Sequence, residues 1–301
     1  MIRSPLAEVR QRIENATSRW AGGMTLAQIR DDFDALAMAL EPSEDGFLLD
    51  AMPACWFGGE PHPALGQAVL YFHGGGFQIG SLRSHHGLMS AVASASGIPV
   101  LGFEYRLAPE NRYPAAHQDS LKAYAALCAL MGDGARIALA GDSAGGNLAL
   151  ATAVAAKRSG LPAPSCLVLM SPWLDLSLSG DSYRTRAEAD FFSKPSQLKA
   201  MAKTYLGRDP DPSEPSYSPV FDNLSGLPPI LVHAGDHDIT LSDAVALEAR
   251  AKAAGTSVEL KVWTGMFHHF QIFQELPEAR ESMEDIASFL KAHLGPAGSP
   301  S

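Results

Sequence analysis

Little in this chain points to covalent staples or metal ribbons. Its 301 residues include three cysteines, Cys55, Cys128 and Cys166, an odd number with no CxxC spacing. A disulfide framework or zinc ribbon is therefore not expected, and a reducing, cytoplasmic setting is. No run of roughly 18 apolar residues occurs, so no bilayer-spanning helix is expected. The opening stretch, MIRSPLAEVRQRIEN, carries charge every few residues and lacks the apolar core of a signal peptide. Basic residues are in the minority, 23 Lys and Arg against 33 Asp and Glu, for a net charge of −10. Such a surface repels phosphate backbones and anionic lipid, which argues against nucleic acid or a membrane as partner. What remains is ordinary globular composition, 46% hydrophobic and 19% charged, enough for one large domain or two small ones.

Periodicity divides the chain. Residues 1–45 read as two amphipathic helices, with Leu6, Val9 and Ile13 repeating in the first and Leu26, Ile29, Phe33, Leu36 and Leu40 in the second. Thr25 with Gln28 forms a capping-box start for the second helix, and Pro42 follows its end. From about residue 65, short apolar runs end in polar or glycine-rich turns, at 68–72, 98–103, 136–140, 167–170, 229–232 and 258–263. Helical stretches at 117–131, 145–159, 242–254 and 278–293 lie between them. Continuous apolar strands alternating with helices predict an α/β fold with a mostly parallel sheet covered on both faces. Residues 176–225 break the alternation, being rich in Ser, Asp, Pro and aromatic residues, with one helix-like piece near 195–206. We expect a core of 46–175 and 226–301, with a cap built from 1–45 and the 176–225 insertion. The insertion's aromatic residues, Tyr183, Phe191, Phe192, Tyr205, Tyr217 and Phe221, would make a confined apolar site or pack the cap onto the core.

The sharpest local signal is Gly141-Asp-Ser-Ala-Gly145, a GxSxG between an apolar strand and an alanine-rich helix. That is the context of a nucleophile elbow, with Ser143 on a tight turn and the next backbone N–H at a helix N-terminus. The second signal is His73-Gly-Gly-Gly76 after the strand at 68–72, whose glycines leave backbone N–H groups free to face a substrate oxygen. With no GxxxxGK[ST] anywhere, a phosphate loop is the weaker reading. His73 is read as a residue that holds the loop. A serine nucleophile needs a base, and the base needs a carboxylate, in the chain order Ser, acid, His. Asp236 and Asp238 follow the strand at 229–232, and His268 and His269 follow that at 258–263. A rival reading of His233, Asp236, His237 and Asp238 as a metal cluster lacks an HxH or HExxH pairing, so neither metal nor cofactor is expected. Tyr105-Arg-Leu-Ala-Pro-Glu110 reads as a turn braced by an Arg–Glu pair, and His85-His86 as a solvated or substrate-lining loop.

Taken together, HGGGF (73–77), YRLAPE (105–110), GDSAGGN (141–147), SPW (171–173), GLPP (226–229) and FHHF (267–270) resemble the motifs of the bacterial hormone-sensitive-lipase-like esterases. The match covers about residues 65–275 of this α/β-hydrolase pattern. The resemblance implies Ser143 as nucleophile, Asp238 as acid and His268 as base. It also implies the backbone N–H groups of Gly75, Gly76 and Ala144 as oxyanion donors. Two departures stand out: His269 occupies a position usually glycine, and Ile239-Thr-Leu241 replaces a common Pro-Leu pair after the acid. The implied activity is hydrolysis of short- to medium-chain acyl esters. Lactone hydrolysis by the same residues is the alternative, and a non-catalytic receptor or an amidase ranks lower. The resemblance also implies a homodimer through the strand at 258–263, with the alternative that Glu259 and Lys261 blunt that edge.

Overall fold

The computed structural model describes residues 4–37, 46–61, 66–207 and 210–295. The chain opens with α1 (Pro5–Ala21) and α2 (Leu26–Leu36), followed by β1 (Phe47–Leu49), β2 (Met52–Phe57) and β3 (Gln67–Phe72). Next come α3 (His86–Ser96), β4 (Val100–Phe103), α4 (Ala115–Met131), β5 (Arg136–Asp142), α5 (Ala144–Ser159) and β6 (Cys166–Met170). The inserted segment supplies α6 (Ser182–Thr185) and α7 (Pro195–Leu206). The remainder is β7 (Ile230–Gly235), α8 (Leu241–Ala253), β8 (Val258–Trp263) and α9 (Pro277–Leu294).

The strands form one sheet in the order β1-β2-β4-β3-β5-β6-β7-β8, antiparallel at β1 and β2 and parallel from β4 onward. Strand side chains alternate between two cores, as the two-residue period requires. Leu70, Phe72, Leu139 and Leu167 pack beneath α4, α5 and α8, whereas Val69, Tyr71, Ala138 and Val168 pack beneath α3 and α9. Both faces are thus covered, which accounts for the continuous apolar runs. The predicted strands and helices recur within a few residues.

Two strands and the helices α3 and α6 went unread. β2 carries Pro53 and does not alternate cleanly, and β1 is three residues long, so neither shows a strand pattern. α3 begins at His86, where a solvated loop was expected, and His85 is fully buried. The capping box of Thr25 and Gln28 forms as expected, while Leu40 and Pro42 lie outside the described residues.

α1 and α2 bury Val9, Ile13, Phe33 and Leu36 against Met266, Phe267, Phe270 and Phe273, beyond the carboxyl end of β8. The turn at 105–110 is braced differently from the expectation. Arg106 pairs with Asp119 of α4, at 2.7 and 2.8 Å, and not with Glu110. Glu110 instead receives a bidentate pair from Arg30 of α2, at 2.9 and 2.8 Å, and Arg30 also donates to the carbonyls of Gln78 and Ala108. One guanidinium therefore clamps an N-terminal helix to the glycine loop and to the turn beside it. Arg30→Ala is expected to cost about 1 kcal/mol, the upper end for a partly exposed pair, and to lower the melting midpoint by about 2 °C. A thermal melt with an unchanged midpoint would show that the clamp adds no net stability.

Candidate active site

Parallel strands deliver their loops to one edge of the sheet, and all the expected residues stand there. Ser143 sits between β5 and α5 with φ 49° and ψ −119°, a left-handed backbone unusual for a non-glycine residue. The turn closes because Gly145 has no side chain: a Cβ there would lie 1.9 Å from the Phe72 carbonyl oxygen. The same contact seats the elbow against the end of β3, where His73–Gly76 begins. Gly75 adopts φ 111°, and a Cβ on it would lie 2.1 Å from the Ile79 carbonyl oxygen. His73 does hold this loop. Its ring stacks on Tyr105 at 4.2 Å, its Nδ1 bonds the Gly74 carbonyl, and Tyr105 Oη donates to the His73 carbonyl.

The three separated side chains meet. His268 Nε2 lies 2.9 Å from Ser143 Oγ, and His268 Nδ1 lies 3.0 Å from Asp238 Oδ1. The backbone N–H and hydroxyl of Thr240 donate to the same Asp238 oxygen, at 2.7 and 2.8 Å. Asp236 is set apart, its carboxylate accepting from the Gly265 N–H at 2.7 Å. His269 is turned away from the serine: its Nε2 stands 2.8 Å from Asp142 Oδ2, and its ring stacks on His85 at 5.4 Å. Its backbone is left-handed, φ 62° and ψ 30°, a conformation that costs glycine least and explains why glycine is usual at this position.

Asp142, next to the serine, is wholly buried and also accepts from Tyr71 Oη at 2.7 Å and the Gly74 N–H at 3.1 Å. Burial penalises its charge, yet His269 and His85 outweigh that and hold its carboxyl well below the usual range. Burial likewise opposes the His268 imidazolium. Asp238, aided by Asp190 and Asp142, outweighs that penalty and moves the imidazole up from its ordinary 6.5. Burial is the largest influence on Asp238 and opposes its charge, but the attraction and hydrogen bond of His268, with hydrogen bonds from Ser171 and Thr240, together hold its carboxyl down.

Gly75, Gly76, Ser143 and His268 line one cavity of about 380 Å³. Its apolar wall comes from Trp20, Leu26, Ile29 and Phe33 of the N-terminal helices and from Phe192 and Met201 of the insertion. Of the insertion's expected aromatics, only Phe192 reaches this cavity. Phe191 packs on Phe267, Tyr205 stacks on Phe77, Tyr183 donates to Asp243, Tyr217 meets Tyr113, and Phe221 lies under Arg250. Their work is to fasten the insertion down.

Ligand-type atoms converge among the described residues in two groups, His85-Asp142-His269 and Asp190-Asp238-His268. In both, the carboxylates are already engaged by protein donors. The run from His233 to Asp238 does not converge, since His233 Nδ1 bonds Ser282 Oγ in the core. Asp190 was not singled out in the sequence; its burial is a tertiary fact with no local signature.

A family model described as alpha/beta hydrolase fold matches residues 69–272. The chain is 40% identical over 231 residues to an acetyl-hydrolase of Streptomyces hygroscopicus, covering 76% of this chain and 77% of that protein. It is 40% identical over 224 residues to an esterase of Acinetobacter venetianus, covering 74% of each. It is 35% identical over 241 residues to an ethyl acetate hydrolase of Pseudomonas putida, covering 77% and 75%. A crystal structure of an esterase from the bacterial hormone-sensitive lipase family superposes with a TM-score of 0.90 at 37% identity, covering 98% of this chain and all of that one. The fold and these likenesses define a carboxylic ester hydrolase. The chain belongs to the α/β-hydrolase family, in its bacterial hormone-sensitive-lipase-like branch. Among the described residues, no helix is long and apolar enough to cross a membrane.

An NMR titration of the imidazoles, with His268 assigned by His268→Asn, should place the His268 midpoint above pH 6.5. A midpoint at or below 6.5 would contradict the electrostatic account.

Proposed function

We propose that this protein is a serine carboxylesterase that cleaves short- to medium-chain acyl esters through an acyl-enzyme. The observation that carries the reading is the relay Ser143 Oγ to His268 Nε2 to Asp238 Oδ1, at 2.9 and 3.0 Å, opening into an apolar cavity. His268 takes the Ser143 proton as Oγ attacks the ester carbonyl carbon, and Asp238 fixes the Nδ1–H tautomer and stabilises the imidazolium. The raised basicity of His268 suits that transfer. Negative charge develops on the carbonyl oxygen beside the N–H groups of Gly75, Gly76 and Ala144. Ala144 opens α5, so its N–H has no partner within the helix. The imidazolium then protonates the leaving alcohol. Water, deprotonated by His268, attacks the acyl carbon and returns the serine.

The cavity of about 380 Å³, walled by Trp20, Phe33, Phe192 and Met201, supports short- to medium-chain acyl groups. The names of the acetyl-hydrolase and ethyl acetate hydrolase relatives agree with short acyl groups. In this reading residues 1–45 and 176–225 form the cap over the core of 46–175 and 226–301, since both supply cavity walls. An odd count of three cysteines with no CxxC spacing supports a cytoplasmic setting. β8, at the sheet edge with Val262 half exposed, is the strand a homodimer would use.

Ser143→Ala should lower kcat on a short-chain p-nitrophenyl ester by roughly 10³–10⁶-fold. In the wild type, acetyl to hexanoyl esters should turn over faster than dodecanoyl ones. Near-wild-type turnover in Ser143→Ala would overturn the mechanism.

A further inference from the structure

Asp190 lies in the inserted segment, between α6 and α7, and its side chain is fully buried. Its two carboxylate oxygens collect backbone N–H groups from three separate parts of the chain. Oδ1 accepts from Phe192 and Ser193 of its own segment, at 2.9 and 3.1 Å. Oδ2 accepts from Ile239, the residue after Asp238, at 3.1 Å, and from His268 itself at 3.3 Å. The neighbouring cation does not pair with this carboxylate: Lys194 Nζ donates to the carbonyls of Ala187 and Asp190, each at 2.7 Å. A buried carboxylate without an ion pair is costly, and four charge-assisted N–H bonds are what offset that cost here.

We infer that Asp190 is a positioning residue, its buried carboxylate latching the insertion to the loops that carry Asp238 and His268 and so keeping the imidazole in line with Ser143. The inference rests on the esterase reading above. Its physical content is twofold. The first part is geometric: one rigid group sets the spacing between the main chains at 239 and 268, and the hydrogen bond between the side chains at 238 and 268 depends on that spacing. The same group holds Phe192 and Ser193, which line the cavity, so the substrate wall and the base share one anchor.

The second part is electrostatic. The groups acting on His268 are Asp238, Asp190 and Asp142, all acidic. Those acting on Asp190 are chiefly Asp238 and His268, with the Lys194 ammonium held on its own turn by main-chain carbonyls. Burial, followed by repulsion from Asp238, raises the Asp190 carboxyl to about 6. Above that pH its negative charge helps keep the proton on His268 once the imidazole has taken it. Below that pH it gains a proton, and the latch loses part of its accepting capacity.

The test uses the full chain carrying Asp190→Asn or Asp190→Glu, with wild type and Ser143→Ala alongside. The measurements are kcat and KM on a short-chain p-nitrophenyl ester, the His268 imidazole titration by NMR, and a thermal melt. Asp190→Asn should lower kcat roughly 10–100-fold, the effect of a small misplacement, with KM changed much less. Its His268 midpoint should move to lower pH, because a negative neighbour is gone. Asp190→Glu keeps the charge but lengthens the arm, so the midpoint should stay near that of wild type while kcat falls. Wild-type kcat and midpoint in Asp190→Asn overturn the inference, whatever the melt shows. If Asp190→Asn does not accumulate as folded protein, wild-type kcat in Asp190→Glu overturns it instead. Activity retained in Ser143→Ala would sink the esterase reading, whereas activity lost there but untouched at Asp190 sinks this inference alone.

Discussion

At the turn between β5 and α5 the main chain passes so close to the end of β3 that no side chain fits between them. Gly145 lies against the Phe72 carbonyl, and Gly141 lies against Gly145 itself, with 2.5 Å available to a Cβ. That approach places the His73–Gly76 loop beside the hydroxyl of Ser143. It also forces the serine backbone into a left-handed conformation, a strain held by the surrounding helix and sheet. The remaining site geometry depends on it. The oxygen at 143 can face His268 only because the elbow lifts it above the sheet, and the glycine amides lie nearby only because β3 and β5 are neighbours in register.

Around this turn the protein buries three carboxylates. Asp142, Asp190 and Asp238 are each wholly buried, and their partners are imidazoles, hydroxyls and backbone N–H groups. Backbone N–H and hydroxyl dipoles carry Asp190 and Asp238 without neutralising them, and all three acids act to raise the pKa of the His268 imidazole. An imidazole in the field of these acids holds a proton better than free imidazole, which suits the role of base proposed for His268. Asp142 precedes Ser143 in the chain, and Asp190 accepts from the backbone N–H of His268.

Much of this was legible without coordinates. Buried parallel strands write themselves as unbroken apolar runs, and an elbow writes itself as small residues around a serine between a strand and a helix. Position along the sheet brought Ser143, Asp236 or Asp238, and His268 or His269 to one edge, and the family resemblance singled out Asp238 and His268. What escaped was whatever depended on a partner distant in sequence. β2 pairs with β4 although its own pattern is irregular, Arg106 finds Asp119 instead of the nearer Glu110, and His85 is drawn into the core by Asp142. The insertion's aromatics were open to two readings, cavity wall or packing of the cap onto the core, and most of them pack the cap. Trp20 and Phe33, from the first two helices, stand at the cavity wall. Asp190 is the extreme case, since a single acidic residue carries no sign of being buried.

The claim at the centre of the account is that Ser143, alone among the serines, is made reactive by its neighbours. Its most direct test is to treat the native protein with a fluorophosphonate probe, digest it and locate the adduct by mass spectrometry. The account predicts one modified residue, Ser143, with the adduct absent when His268 is replaced by Asn. An unlabelled protein, or an adduct on another side chain with Ser143 untouched, would contradict it.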